Sequence, residues 1–530
     1  MNLTYLLAAA AAAQAISPSR LSQDIKILAS GAFEGRGPGT AGERKTIDYL
    51  VREFKAAGAV PAGENGGWTQ AVQMSRHRIA DDRRLSVEAG NRCAIDLAPE
   101  TILWTRNPAN RVQLDKVPVV FAGHGVHAPD KNWDDFAGID VKDKLVIVLT
   151  NDPDWNRKAG PFGGERMSYY ARLGTKVEEA GRRGAAAVLA VHHQPSTEYP
   201  WLTAKDLFKA PANGVPGADA NLAGFSGYIS ESAAHKLFAC AGQDLAAARA
   251  AAEKPGFRGV ALEGLQFSAA FDVGVESLTT HNVVAKIPGT THPDEYFAYT
   301  AHWDHLGRGK PDKTGDDIYN GALDNAGGTA GLLELARAFG RGPRPQRSIL
   351  FIAMTLEESG LLGSEYFASH PLVPLEKIAG GFNMDAVNLI GPTKTMEVTS
   401  MGQSTLEDYL KRELAVQGRE MRDDPNSVVG FYYRSDHFPF AKRGVPFIFA
   451  GSGWELAEKK VPNTRDPQIG TRYHQPMDQW YPELDFAAAA RDIDLYFRVG
   501  STIANSREWP RWNAGAEFAA ERAKTDAMRK

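Results

Sequence analysis

The chain has 530 residues, 43% hydrophobic and 23% charged, which is more than one hydrophobic core supports and too apolar for extended disorder, so two or three folded domains are expected. Lys plus Arg at 60 against Asp plus Glu at 64 leaves a net charge of −4 without a block of like charge, which excludes nucleic acid as a partner. Only Cys93 and Cys240 are present, so at most one disulfide can form, and the sequence leaves open whether they pair.

From Leu3 to Ala15 an apolar run closes on Ala-Gln-Ala, with the length and ending of a signal peptide, although no Lys or Arg precedes it. Residues 1–17 are therefore expected to be a signal peptide and the protein to be exported, periplasmic or secreted; an Ala-rich disordered tail is the alternative. Residues 18–110 form an N-terminal segment in which a loop, EGRGPGT, precedes an amphipathic helix with Ile47, Leu50, Val51 and Phe54 at helical spacing. Between residues 111 and 270 short β-rich runs such as VPVVFAG and KLVIVLT mark a separate insert. From 271 to 510 apolar strands alternate with helices, predicting an α/β domain whose mixed, mostly parallel sheet is flanked by helices; residues 511–530 are left as a tail. No other stretch reads as transmembrane, so stable membrane insertion is not expected.

Ligands of an α/β sheet bind beyond the carboxyl ends of its strands, and five such ends here carry polar residues. In YTAHWDHLG, His302 and Asp304 share one strand face, so the carboxylate can orient the imidazole, although such a pair also occurs without metal. Asp324 in ALDNAGG precedes a helix that it could instead merely cap. Glu357 and Glu358 in TLEESGLLG could likewise serve a helix dipole, but adjacent side chains leave a strand in opposite directions, so one can bind metal while the other faces substrate. Asp385 in FNMDAV sits in an apolar context that demands a partner, and His474 in RYHQPMD follows in a loop. Taken together, two imidazoles and three carboxylates suit zinc, and three carboxylates against two dications leave one positive charge that a bridging hydroxide would neutralise. Two Zn2+ ions per subunit are therefore expected.

The ordered set AHWDHLG, LDNAGG, LEESGLLGS, NMD and RYHQPMD resembles the M28 family of co-catalytic zinc peptidases over roughly residues 275–505. By that resemblance His302 and Asp385 bind one zinc, Glu358 and His474 the other, and Asp324 bridges them, with Asp304 supporting His302 and Glu357 acting as general base. It also implies a cis peptide between Asp324 and Asn325, Tyr473 as an oxyanion donor and Arg434 as a substrate contact; aromatic packing of Tyr473 and pairing of Arg434 with Asp436 are the alternatives. His437 reads as structural, and Asp478 as a support for the His474 loop. The insert resembles the protease-associated domain of one branch of that family, and LASGAFEGRGPGTAGERKTIDYLVREFKAAG that branch's N-terminal segment.

The function so implied is an aminopeptidase acting on peptide substrates, with Glu357 moving the proton of the attacking water. A zinc carboxypeptidase or deacylase of the M20 type is the alternative, but the 89 positions from Asp385 to His474 leave no room for its dimerisation domain. A one-zinc glutaminyl cyclase-like transferase fits the five ligands less well, and a receptor-like binding protein would be expected to have lost some of them. Substrate preference and oligomeric state are not legible.

Overall fold

The computed structural model describes residues 16–197, 199–207, 211–215, 223–453, 457 and 472–529, so the expected signal peptide lies almost wholly outside the described residues. Two compact units emerge: Met1–Val72, Thr279–Pro425 and Phe431–Lys530 form the first, Gln73–Leu278 and Asn426–Gly430 the second. The expected boundary at 110/111 thus falls inside the second unit. Its cause is long-range pairing: the strand Arg84–Glu88 lies antiparallel to residues 266–270, which a boundary drawn from local texture cannot register.

In the first unit, helices α1 (Pro18–Leu28) and α2 (Ala41–Ala56) precede a sheet built from β1 (Val60–Pro61), the end of β2 (Val260–Ile287), β3 (His292–His302), β4 (Arg347–Met354), β5 (Ile378–Asn383), β6 (Thr395–Val398), β7 (Glu420–Asp423) and β8 (Phe447–Ser452). The order is β1-β2-β4-β3-β5-β8-β6-β7, and the central β4, β3, β5 and β8 are mutually parallel. Helices α3 (Gly327–Arg341), α4 (Leu406–Val416) and α5 (Phe486–Ala504) join α1 and α2 in one core against the sheet.

The central strands are unbroken apolar runs because both faces are covered. Phe297, Tyr299, Ala301, Ile349, Phe351 and Ala353 enter the core shared with these helices, while Tyr296, Ala298, Leu350, Ile352 and Met354 pack on the opposite face with Phe367, Phe440 and Val445. Residues 511–529 are not a free tail. Trp512 Nε1 donates to Gly444 O at 2.7 Å, Phe518 is buried, and Arg522 Nη2 donates to Ile378 O at 2.8 Å.

The second unit has its own mixed sheet, with Arg111–Phe121, Leu145–Leu149, Ala187–His192 and Phe225–Ser230 in parallel succession, and its own core. Cys93 and Cys240 are disulfide-bonded within it, closing the pairing that the sequence left open. Among the described residues no helix is long and apolar enough to cross a membrane.

Candidate metal centre

Register brings the site together. His302 is paired with Met354 and Thr300 with Asn383, so β3, β4 and β5 end side by side, and the residues just beyond them share one rim. His302 closes β3, Glu357 and Glu358 follow β4, Asp385 follows β5, and Asp324 precedes α3.

All five expected ligands converge. His302 Nε2 lies 3.1 Å from Asp385 Oδ1 and 3.2 Å from Asp324 Oδ1; His474 Nε2 lies 3.0 Å from both Asp324 Oδ2 and Glu358 Oε2. The two oxygens of Asp324 thus face two different imidazoles. Two groups with metal-ligand spacing result, His302–Asp324–Asp385 and His305–Asp324–Glu358–His474, sharing Asp324.

The helix-capping alternative for Asp324 fails because its neighbour does that work: Asn325 Oδ1 accepts from Gly328 N at 2.9 Å and from Ala386 N at 3.2 Å. The Asp324–Asn325 peptide is cis. Asp478 supports this turn rather than the His474 loop alone, its carboxylate accepting from the Leu323 and Asp324 amides at 3.0 to 3.1 Å. Asp304 supports His302 differently from expectation. Its main-chain oxygen lies 3.1 Å from His302 Nδ1, whereas its carboxylate stands 3.8 Å away and accepts from Glu357 N at 3.2 Å. Asp304 therefore ties the β3 end to the β4 end.

Electrostatics mark the site as built for cations. Burial alone would push Asp324 up, but hydrogen bonds from His302 and His474 outweigh it and hold the carboxyl far below its ordinary range. Burial would lower both imidazoles, yet Asp385, Glu357 and Asp324 raise His302 well above its usual value, and Asp324 and Glu358 lift His474 to about 10. Glu357 behaves oppositely: burial drives it well above the ordinary range, His302 opposes, and Asp385, Asp436 and Glu358 add to the rise. Asp304 is pushed to about 8, chiefly by burial. The protein alone thus balances its acids with imidazolium protons, and two dications would do so with the same atoms. The donor set, two or three imidazoles and three carboxylates around one shared oxygen pair, fits two zinc ions.

His305 was missed from the sequence although it stands in AHWDHLG. Its Nδ1 lies 2.6 Å from Glu358 Oε1, and its Nε2 is buried with no hydrogen-bond partner. Only its position one residue past the strand-face pair could have signalled it. Tyr473 is 55% exposed and stacks on His474 with ring centroids 3.8 Å apart. Arg434 is exposed with its guanidinium over Phe431, while Asp436 accepts from Ser364 Oγ at 2.6 Å, so the expected alternative pairing does not form. His437 is buried between Tyr432 and Phe449, a structural position.

Residues 282–497 match the model of Peptidase family M28. A protein named as a probable zinc metalloprotease of Leptosphaeria maculans is 36% identical over 195 residues, covering 32% of this chain and 44% of that protein. Leupeptin-inactivating enzyme 1 of Streptomyces exfoliatus is 29% identical over 182 residues, 33% of this chain and 37% of the enzyme. The chain thus spans less than half the length of these curated relatives. The fold is that of the aminopeptidase from Aneurinibacillus sp. strain AM-1, with a TM-score of 0.50 at 18% identity over 91% of this chain and 93% of that one.

Proposed function

We infer, from a chain whose residues 282–497 match peptidase family M28, that the protein is a zinc-dependent aminopeptidase in which Asp324 would contribute to holding two ions. The observation carrying this reading is that the Asp324 oxygens face His302 and His474 at 3.2 and 3.0 Å, so that one carboxylate can serve both ions. His302 and Asp385 would complete one site, Glu358 and His474 the other, with His305 steadying Glu358 through Oε1.

Bound zinc supplies Lewis acidity and lowers the pKa of water from about 15.7 to about 7, roughly 12 kcal/mol of differential stabilisation. The chain's own residues do the rest. Glu357, beside Glu358 just beyond the end of β4, would take the proton of the attacking water and pass it to the leaving amine, a role worth about 10²–10⁴-fold. Tyr473, exposed beside His474, can reach a substrate carbonyl oxygen, and exposed Arg434 can meet a carbonyl or carboxylate of the peptide.

Two further readings belong with this one. The Cys93–Cys240 disulfide favours an oxidising compartment and so supports export, and the second unit's own sheet and core support reading it as a protease-associated domain. Hydrolysis of free-amine and N-blocked peptides, with and without chelator, tests the activity. Loss of activity on chelation and inertness of blocked peptides are expected; cleavage of blocked peptides alone would overturn the aminopeptidase reading. Glu357→Gln is expected to retain both zinc ions and lose turnover by at least about 10²-fold.

A further inference from the structure

Arg36, in the EGRG turn between α1 and α2, is fully buried, an uncommon fate for a guanidinium. Its partners are neither carboxylates nor solvent but four main-chain carbonyls. Nε donates to Trp303 O at 2.9 Å; Nη1 donates to Asn320 O at 2.6 Å and to Leu28 O at 2.9 Å; Nη2 donates to Gly321 O at 2.9 Å. Trp303 lies between His302 and Asp304, and Asn320 and Gly321 lead into Asp324. One side chain therefore spans the loop that carries the first imidazole and the loop that carries the shared carboxylate.

The backbone around Arg36 is shaped to reach both loops. Glu34, Gly35 and Arg36 all have left-handed φ, at 50°, 65° and 50°. A Cβ on Gly35 would stand 2.4 Å from Gly307 O and 2.5 Å from Tyr319 O, so a side chain there would push the turn off both loops. Gly321, at φ 56°, is as tightly held: a Cβ there would meet Asp324 O at 2.1 Å and Arg36 Nη2 at 2.8 Å. His305 N in turn donates to Arg36 O at 3.4 Å.

We propose that Arg36 is a positioning residue for the two-ion centre, three of its main-chain hydrogen bonds fixing the spacing between the His302 loop and the Asp324 loop while the fourth anchors it to Leu28 at the end of α1. The inference rests on the two-zinc reading above. An alternative role, offsetting the charge of nearby Asp304, Asp324, Glu358 and Asp478, predicts the opposite sign. Removing a positive charge near dication sites tightens metal binding by Coulomb's law, whereas freeing the loops loosens it. The sign of the change in metal affinity separates the two.

The experiment uses the full chain as wild type, Arg36→Met, Arg36→Lys and, as a control for general destabilisation, Leu414→Ala in the buried face of α4. Each is stripped by chelation and titrated with Zn2+ against a chromophoric chelator, and the visible spectrum of the Co2+ form is recorded. Arg36→Met should weaken metal affinity by about tenfold or more and alter the Co2+ spectrum, with Arg36→Lys intermediate because an ammonium cannot span the same fork. kcat should fall with KM little changed. Leu414→Ala, at a comparable loss in melting temperature, should leave affinity within about twofold. Unchanged or tighter affinity in Arg36→Met overturns the positioning role; should that variant not fold, wild-type affinity in Arg36→Lys overturns it equally. A wild type that takes up fewer than two ions would instead bring down the two-zinc reading.

Discussion

Asp385 accepts a 2.6 Å hydrogen bond from Ser435 Oγ, which accepts from Asn383 Nδ2 at 2.7 Å, and Asn383 Oδ1 accepts from Thr300 Oγ1 at 2.7 Å. This relay leaves Asp385 Oδ1 aimed at His302 and free for a metal. Groups that orient a ligand in this way commonly account for 10–100-fold in metal affinity, so Ser435→Ala is expected to weaken Zn2+ binding by about tenfold while the metal-free protein melts close to wild type. Competition titration and thermal melting read the two effects; an unchanged affinity would show that Asp385 is held by the backbone alone. The imidazoles set a second expectation. Because His302 is raised above its ordinary value and His474 to about 10, the metal-free site holds protons at neutral pH that zinc must displace. Affinity should therefore fall as pH falls, by about tenfold per unit for each proton released. Calorimetric titration in buffers of different ionisation enthalpy counts those protons, and a pH-independent affinity would contradict the ligand set.

At the level of elements, α3 is tied to α1 and α2 through charge as well as apolar packing. Arg337 Nη1 lies 2.5 Å from Asp24 Oδ2 and 2.8 Å from Glu334 Oε1, Nη2 lies 2.9 Å from Glu53 Oε2, and Arg20 also pairs with the fully buried Glu334. Removing the one cation common to three carboxylates leaves buried negative charge uncompensated. Arg337→Met is thus expected to cost about 3–5 kcal/mol in denaturant unfolding, and adding Asp24→Asn should recover part of it; equal losses in the single and double variants would place the energy elsewhere. Much of this architecture was legible in the sequence, because strands buried on both faces read as unbroken apolar runs and their carboxyl ends announce polar residues. Helix-like spacing at Ile47, Leu50, Val51 and Phe54 likewise marked α2. What escaped has a common physical cause: long-range partners without a local signature. Arg36 bonds to main-chain carbonyls, which every residue possesses, and the strand Arg84–Glu88 takes its place from a partner far along the chain. His305 was hidden by a neighbour, since His302 and Asp304 already accounted for the motif.

For the molecule as a whole, the two units differ in what secures them. The first holds an extensive helix-covered core, whereas in the second Cys93, in the short connection after the strand Arg84–Glu88, is joined to Cys240 at the end of the helix Glu231–Cys240 across 147 positions. A cross-link over so long a loop removes many conformations from the unfolded chain, about 5 kcal/mol by the chain-entropy relation. Cys93→Ser with Cys240→Ser should therefore lower the denaturant midpoint of the second unit by an amount corresponding to at most that value, the two small sulfur-to-oxygen exchanges adding little. Because His302, His305, Asp324, Glu358, Asp385 and His474 all belong to the first unit, zinc content should stay at wild-type stoichiometry. Thiol counting before and after reductant establishes whether the bond is present in the purified protein. Urea unfolding followed by tryptophan fluorescence, together with metal analysis on the same samples, reads both expectations. Loss of zinc at denaturant concentrations where the first unit is still folded would mean that the disulfide supports the metal centre as well as its own unit.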